Sequence, residues 1–329
     1  MARRNNPCWR SSEPGGDVAE VAQRTNSAAR VASGGTRATR YSARMAADGS
    51  GGAGLSGAPA EPIVDPSWLA ARVAADTSAR AATIDTLLSK LISYVIDVDG
   101  PGDVLEIIDL GAGTGANQRW LAPRLPLPQR WIHLDHDPVI SRSIALPEET
   151  AIIDDSVEAL DRLLATSAGH RRLVTCSALL DVLTTAAIDA VCGAVINNQV
   201  PVLFSLTVTG ALSLTPADPR DQLLLDAFND HQRRAGRAGP DAGSQSVSAL
   251  LAGGMAVRTQ DTPWLLTASE SQSFVARMLQ ERLEAAVTQE PALARTAAAW
   301  FELRRVQLGL GVLRIELAHS DILGLPGGR

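Results

Sequence analysis

IIDLGAGTGANQRWLAPRLP, residues Ile107–Pro126, is the stretch that decides the fold. An apolar run ends in Asp109, three glycines follow at alternate positions, and a helix-compatible segment runs up to Pro126. A buried strand that turns through glycines into a helix opens a doubly wound α/β domain: glycine permits the tight turn and lets backbone N–H groups approach a ligand closely. Gly111, Gly113 and Gly115 spell GxGxG, and with Ala116 the same letters satisfy GxGxxA, the dinucleotide fingerprint. The glycines alone therefore leave NAD and other nucleotide-like cofactors open.

Outward from the loop, strand and helix patterns alternate. DVLEIIDL (Asp103–Leu110) follows a Gly-Pro-Gly turn and reads as a buried strand, and Asn117–Leu125 as a helix stopped by Pro126 and Pro128. RWIHLD, AIID, RRLVTCSALL, VPVLFSLTVTG, MAVRTQ and VLRIELAHSDIL read as further strands. PVISRSIAL, SVEALDRLLATS, AAIDAVCGAVINN and DPRDQLLLDAFNDHQRR read as helices, and GRAGPDAGSQS as a loop. Asp155 is placed to cap the helix that contains Glu158. Upstream, Ser67–Asp97 carries apolar residues at helical spacing, with a break expected near Asp76–Ser78. Helices at Ser269–Val287 and Pro291–Leu308 lengthen the connection before the last strand, roughly Thr262 to Gly311. The expectation over 61–329 is a doubly wound, seven-stranded, mostly parallel Rossmann-like sheet with helical additions.

Residues 1–60 are mostly Ala, Gly, Ser, Arg and Pro, too poor in large apolar side chains to offset the entropy of ordering, and read as a disordered tail. The tail's Arg/Ser content resembles a transit peptide, and Met45, opening MAADGSGG, is an alternative start. Residues 1–45 carry eight arginines against three acids, so the formal net charge of −6 leaves −11 on the remainder. An acidic body does not suit the phosphate backbone of nucleic acid. Lys90 is the single lysine in an Ala- and Gly-rich chain, a sign of a GC-rich genome rather than of arginine chemistry. Cys8, Cys176 and Cys192 form no CxxC and lie in no metal-ligand spacing with histidine, so no metal is expected and a cytosolic setting fits. No apolar run approaches the ~18–20 residues of a membrane span.

Asp109 separates the cofactors. A pyrophosphate beside it would meet a like charge, whereas S-adenosylmethionine has no phosphate and brings an ammonium and a sulfonium. The pattern Asp109-Leu-Gly111-Ala-Gly113-Thr-Gly115 resembles the first motif of class I S-adenosylmethionine-dependent methyltransferases. The resemblance spans roughly Ser67 to Leu323. Its RWLAPRLP and SALLD stretches resemble an uncharacterised actinobacterial group that implies no substrate. The second strand ends in LDHD, where Asp135, 24 residues past Gly111, matches the family's ribose-binding acid and Asp137 is the alternate. The third strand ends in Asp154-Asp155, where the family commonly has an acid facing the adenine amino group. The fourth ends in TCSALLD, the family's loop beside the transferred methyl group.

The resemblance implies in-line methyl transfer, in which positioning lowers much of the barrier and a base is needed only for a protonated acceptor. The fourth strand lacks [DN]PP[FYW], and Cys176 does not follow proline, so DNA amino- and cytosine-methylating chemistry is not indicated. With four Phe and two Tyr to stack on bases, a small-molecule acceptor is expected. Asp181, after the fourth strand, is a candidate base or cation-binding carboxylate. Asn229 and His231, in DAFNDHQRR, are candidate acceptor contacts, His231 because it titrates near neutrality. Cys176, His133, His319 and Trp264 read as structural. The two late helices are expected to help form the acceptor pocket. Two rival readings stay open: a protein that binds S-adenosylmethionine without turnover, and an NAD-dependent oxidoreductase.

Overall fold

Every side chain of β1 (Leu105–Leu110) is buried, and that places it at the centre of a sheet covered on both faces. A computed structural model of the chain describes residues 65–97, 104–135, 151–153, 157–166, 171–267 and 271–327. The expected tail (1–60), the PVISRSIAL helix, Asp137, Asp154 and Asp155 lie outside the described residues. In the described chain, α1 (Pro66–Ala79) and α2 (Ser89–Asp97) precede β1, and α3 (Ala116–Leu121) follows it. Then come β2 (Gln129–Leu134), β3 (Ala151–Ile153), α4 (Val157–Thr166), β4 (Arg171–Ser177), α5 (Thr185–Asn197) and β5 (Val202–Thr215). The remainder is α6 (Asp221–Gln232), α7 (Ala242–Ala252), β6 (Ala256–Asp261), β7 (Trp264–Leu266), α8 (Gln272–Gln289), α9 (Ala294–Gly309) and β8 (Arg314–Leu325).

The sheet order is β3-β2-β1-β4-β5-β8-β6, with β7 beside β8. Strands β3, β2, β1, β4 and β5 are parallel, while β8 runs antiparallel to β5, β6 and β7. The Rossmann-like α/β architecture is as expected: seven strands make up the order, five of them parallel, and a short eighth strand, β7, pairs off it on β8. The short β7 was not expected; its WLL alternates buried and exposed positions against β8.

Period-two alternation divides the core. Ile108, Val174 and Phe204 face one side, with Leu160, Val191 and Val195 of α4 and α5. Ile107, Leu173 and Leu203 face the other, with Leu91 of α2 and Trp120 and Leu121 of α3. A third core lies beyond the sheet end, where Phe274, Met278 and Leu283 of α8 and Trp300 of α9 pack on Leu214, Ile315 and Leu317 of the extended β5–β8 ribbon.

Several boundaries moved, each for a local reason. The break after α1 falls at Arg80, beyond the expected Asp76–Ser78. Helix α3 stops at Leu121 and continues as a single 3₁₀ turn over Ala122–Arg124, because Pro123 has no N–H to extend the helix. GRAGPDAGSQS is not all loop: its last letters start α7. Ala242, Ser246 and Leu250 form a buried i, i+4, i+8 stripe, and Ser246 Oγ donates to the Ala242 carbonyl at 2.8 Å. Small residues disguised that stripe, yet they permit the close approach; a Cβ at Gly243 would lie 3.4 Å from Thr207. No helix among the described residues is long and apolar enough to cross a membrane.

One buried carboxylate braces the end of the sheet. The β5–β8 register shifts between Phe204 and Thr207, and Leu206 takes a left-handed φ of 54° there. Asp321 of β8, fully buried, accepts from Leu206 N (2.7 Å), Thr83 Oγ1 (2.7 Å) and Thr262 Oγ1 (3.0 Å). Asp321→Ala strands three buried donors and should lower the free energy of urea unfolding by roughly 3–5 kcal/mol. Asp321→Asn, keeping one carbonyl acceptor, should lose less; an alanine loss under ~1 kcal/mol would show the brace to be dispensable.

Candidate functional site

The strand order reverses between β1 and β4, and in open α/β sheets the crevice outside the carboxyl ends at such a point is where ligands bind. The glycine loop stands there. Gly111, Gly113 and Gly115 have φ of 59°, 53° and 74°, a region that a side chain disfavours. A Cβ on Gly111 would also come within 2.7 Å of Leu179, which follows β4. Gly111 N donates to the Leu134 carbonyl (2.7 Å), tying the loop to the end of β2. Gly113 N donates to the Asp135 carboxylate at 2.6 Å. The loop's anionic partner is thus the chain's own carboxylate.

Asp109 lies behind the loop, completely buried. Asn117 of α3 donates Nδ2 to Asp109 Oδ1 (2.7 Å) and also reaches Thr175 Oγ1 of β4 (3.2 Å). Asp109 Oδ2 is buried without a hydrogen-bond partner. Burial pushes its carboxyl up to about 7, against the lowering effects of the Asn117 hydrogen bond and the Arg80 charge, and Asp135 nearby adds to the rise.

Helix α1 forms the opposite wall. Leu69, Arg72, Val73, Asp76, Thr77 and Arg80 follow helical i, i+3, i+4 spacing. Leu69 packs over Gly113, 3.7 Å from where a Cβ would stand. Arg72 binds Asp76 (2.9 Å), which also accepts from Trp264 Nε1 (3.0 Å). Val73, Asp76, Thr77 and Arg80 line a small cleft, of about 30 Å³, with Ala116, Asn117, Trp120, Ser177 and Leu206. The Arg80 guanidinium lies 3.7 Å from the centre of the Trp120 ring and donates to Ser205 Oγ (3.1 Å), with Nε unpartnered. Burial lowers it to about 10, and Asp321, Asp109 and Asp76 oppose that fall.

A second, small pocket, of about 20 Å³, lies in the outer core between α6, α8 and α9. Its lining includes Leu224, Phe228, Leu279, Arg282, Leu283 and Trp300. Asp181 sits on a 3₁₀ turn after β4, with Oδ1 buried and unpartnered. Burial raises its carboxyl above the usual range, against the Arg72, Arg282 and Arg237 charges.

The glycines, Asp109 and Asp135 are therefore gathered at one sheet end. Asn229 and His231 line neither cavity. Asn229 Nδ2 donates to the Gly210 carbonyl (2.9 Å), fastening α6 to β5, and His231 is half-buried with burial lowering its pKa. His133 and His319 are buried in strands, and desolvation lowers them to about 4 and about 3, so both are neutral core groups. Cys176 is a buried strand residue. Arg80, Asn117 and Arg282 also line these two pockets and are not singled out by the sequence. A signal existed for Arg80, since it extends the stripe set by Leu69, Val73 and Asp76; Asn117 and Arg282 sit on helix faces whose partners come from distant strands and helices.

No protein-family model and no curated protein sequence matches the chain. Among solved structures it is similar to a protein described as a methyltransferase of an antibiotic biosynthesis pathway of Anabaena variabilis, at 13% identity and a TM-score of 0.41, over 76% of this chain and 99% of that one. It is also similar to the cyclopropane synthase MmaA2 of Mycobacterium tuberculosis, at 11% identity and a TM-score of 0.37, over 74% and 86%. An O-methyltransferase family protein of Burkholderia thailandensis aligns at 18% identity and a TM-score of 0.34, over 57% and 58%.

The Asp109 environment has a measurable consequence. With its folded pKa raised from 3.8 to about 7, the folded chain binds a proton that the unfolded chain releases. Asp109 therefore makes stability fall as pH rises from about 4 to about 7, with no further change above. Asp109→Asn should unfold with a flatter pH dependence across that window and be more stable than the parent at pH 8 by a few kcal/mol. Parallel pH profiles of the two proteins in urea titrations would count against this environment.

Proposed function

We propose that the chain binds S-adenosylmethionine in the cleft at the end of β1 and transfers its methyl group to a small-molecule acceptor. The observation that carries this reading is the fully buried Asp109 carboxylate with one oxygen unpartnered, directly behind the glycine loop. A buried carboxylate there disfavours a phosphate and favours a cation. Asp135 strengthens the case: its carboxylate takes the Gly113 N–H, and a dinucleotide enzyme would keep the loop's N–H groups for its pyrophosphate. An NAD-dependent oxidoreductase is correspondingly disfavoured.

The roles follow from chemistry and place. Asp109 Oδ2 would accept from the cofactor's ammonium. Arg80, the single basic residue among those lining this cleft, would meet its carboxylate. Asp135, at the end of β2, would accept from the ribose hydroxyls, and Asp154 or Asp155 would take the adenine amino group. When bound, the cofactor supplies an electrophilic methyl on sulfur. The chain's part is to exclude water, hold the acceptor in line and, for a protonated acceptor, remove a proton. Asp181 is suited to that last task because burial makes it a stronger base than an exposed aspartate.

Calorimetry with S-adenosylmethionine, S-adenosylhomocysteine and NAD tests the reading. S-adenosylhomocysteine should bind and NAD should not. Asp109→Asn should weaken S-adenosylhomocysteine by about tenfold or more, the scale of one charged hydrogen bond. Affinity for the parent should rise between pH 6 and pH 8, because Asp109 must ionise to meet the ammonium. NAD binding without S-adenosylhomocysteine binding would overturn the assignment, and a labelled-methyl assay over cell extract then tests turnover.

A further inference from the structure

One wall of the inner cleft has a hydrogen-bond sense that is fixed from beneath. Thr175 Oγ1 of β4 donates its one proton to the Leu203 carbonyl (2.8 Å), so toward α3 it can only accept. Asn117 of α3 meets it with Nδ2 at 3.2 Å, and the same Nδ2 donates to Asp109 Oδ1 at 2.7 Å. Both protons of the amide nitrogen are thereby used. Turning the amide over would set Oδ1 against a Thr175 hydroxyl with no proton left to give, whether Asp109 is ionised or protonated. Asn117 Oδ1 is therefore held on the opposite side of the amide, buried and without a hydrogen-bond partner. Asn117 is 5% exposed and lines the cleft with Arg80 and Ser177, whereas Asp109 is fully buried behind the loop. A buried acceptor left in this state costs the fold its desolvation penalty until a donor reaches it.

We propose that Asn117 is a specificity-determining residue of the cofactor site, its fixed amide oxygen accepting from the ammonium beside Asp109 Oδ2. This rests on the S-adenosylmethionine reading and deepens it. The two unpartnered acceptors, Asp109 Oδ2 and Asn117 Oδ1, belong to side chains hydrogen-bonded to each other. An ammonium carries three N–H groups and can serve both, whereas a hydroxyl has one proton to give. The cleft, of about 30 Å³, has room for a group the size of a water or an ammonium. Arg80, on the same wall and with Nε unpartnered, opposes a lone cation there. A ligand whose ammonium and carboxylate share one carbon satisfies both walls, so the cleft reads an α-amino acid end by its two charges.

The probes are S-adenosylhomocysteine and its desamino analogue, in which a hydrogen replaces the ammonium. By calorimetry on the full chain at pH 8, the parent should bind S-adenosylhomocysteine at least about tenfold more tightly than the analogue, as charge-assisted contacts in a desolvated site predict. Asn117→Ala should weaken S-adenosylhomocysteine by about tenfold and leave the analogue within about twofold. Asn117→Asp, which keeps an acceptor oxygen, should retain the preference. A double-mutant cycle separates direct contact from mere support of Asp109. In the Asp109→Asn background, Asn117→Ala should weaken S-adenosylhomocysteine by a further fivefold or so; no further loss means that Asn117 acts only through Asp109 and overturns the proposal. Equal losses of the two probes in Asn117→Ala show a structural role and overturn it as well. Failure of the parent to bind S-adenosylhomocysteine refutes the cofactor reading together with this proposal, whereas binding with an unselective Asn117→Ala loss refutes the proposal alone.

Discussion

A carboxylate buried at the carboxyl end of the central strand constrains the site around it. Asp109 cannot move, because β1 is paired on both sides and its Cα is in register with His133 and Thr175. Nor is it fully solvated by the protein, because Asn117 satisfies only one of its oxygens. The surroundings are arranged about that charge. Asn117 is fixed by Thr175, and Thr175 in turn donates to the Leu203 carbonyl at 2.8 Å, so the partner of Asp109 is locked to two strands. Arg80 adds a positive field from α1, and Asp321 holds Leu206 of the cleft wall from β8.

Charges in the inner cleft alternate by construction. Asp321, Asp109 and Asp76 each act on Arg80, and Asp76 is also paired with Arg72. A carboxylate buried behind the loop suits a ligand bringing positive centres better than one bringing a pyrophosphate. The same arrangement explains why the glycines are poor evidence by themselves. They supply backbone geometry that any nucleotide-like ligand can use, while the sign of the buried charge behind them discriminates.

Much of this was legible in the sequence because the signals were local. The strand–glycine–helix unit, the acids at the ends of β1 and β2, and the alternation of later elements are all written within a few residues of one another. The misses share a different cause. The α7 helix was hidden by Gly, Ala and Ser, whose burial becomes visible only when α5 and the sheet lie against them. The antiparallel sense of β8 and the added β7 depend on how a long connection returns, which no local pattern records. Asn229 and His231 form a polar cluster by composition, whose role no local pattern decides. In the fold, the Asn229 amide is used to hold Gly210, where a side chain would collide with Pro240. Arg282 lay inside an ordinary amphipathic helix, and only the packing of α6 against α8 shows that its charge is enclosed.

Helix α1 stands between the inner cleft and the outer core. Its Leu69 touches the glycine loop, its Asp76 and Arg80 line the inner cleft, and Arg72 stands 5.0 Å from the centre of the Trp264 ring, which belongs to the outer core. Trp264 also lies against His319 of β8, with ring centres 5.1 Å apart. Since desolvation keeps His319 neutral, it adds no charge at this junction. The charges that cross it are Arg72, Arg282 and Asp181, and Asp181 feels both arginines. Of the arginines that act on Asp181, Arg72 has the largest effect, ahead of Arg282 and Arg237.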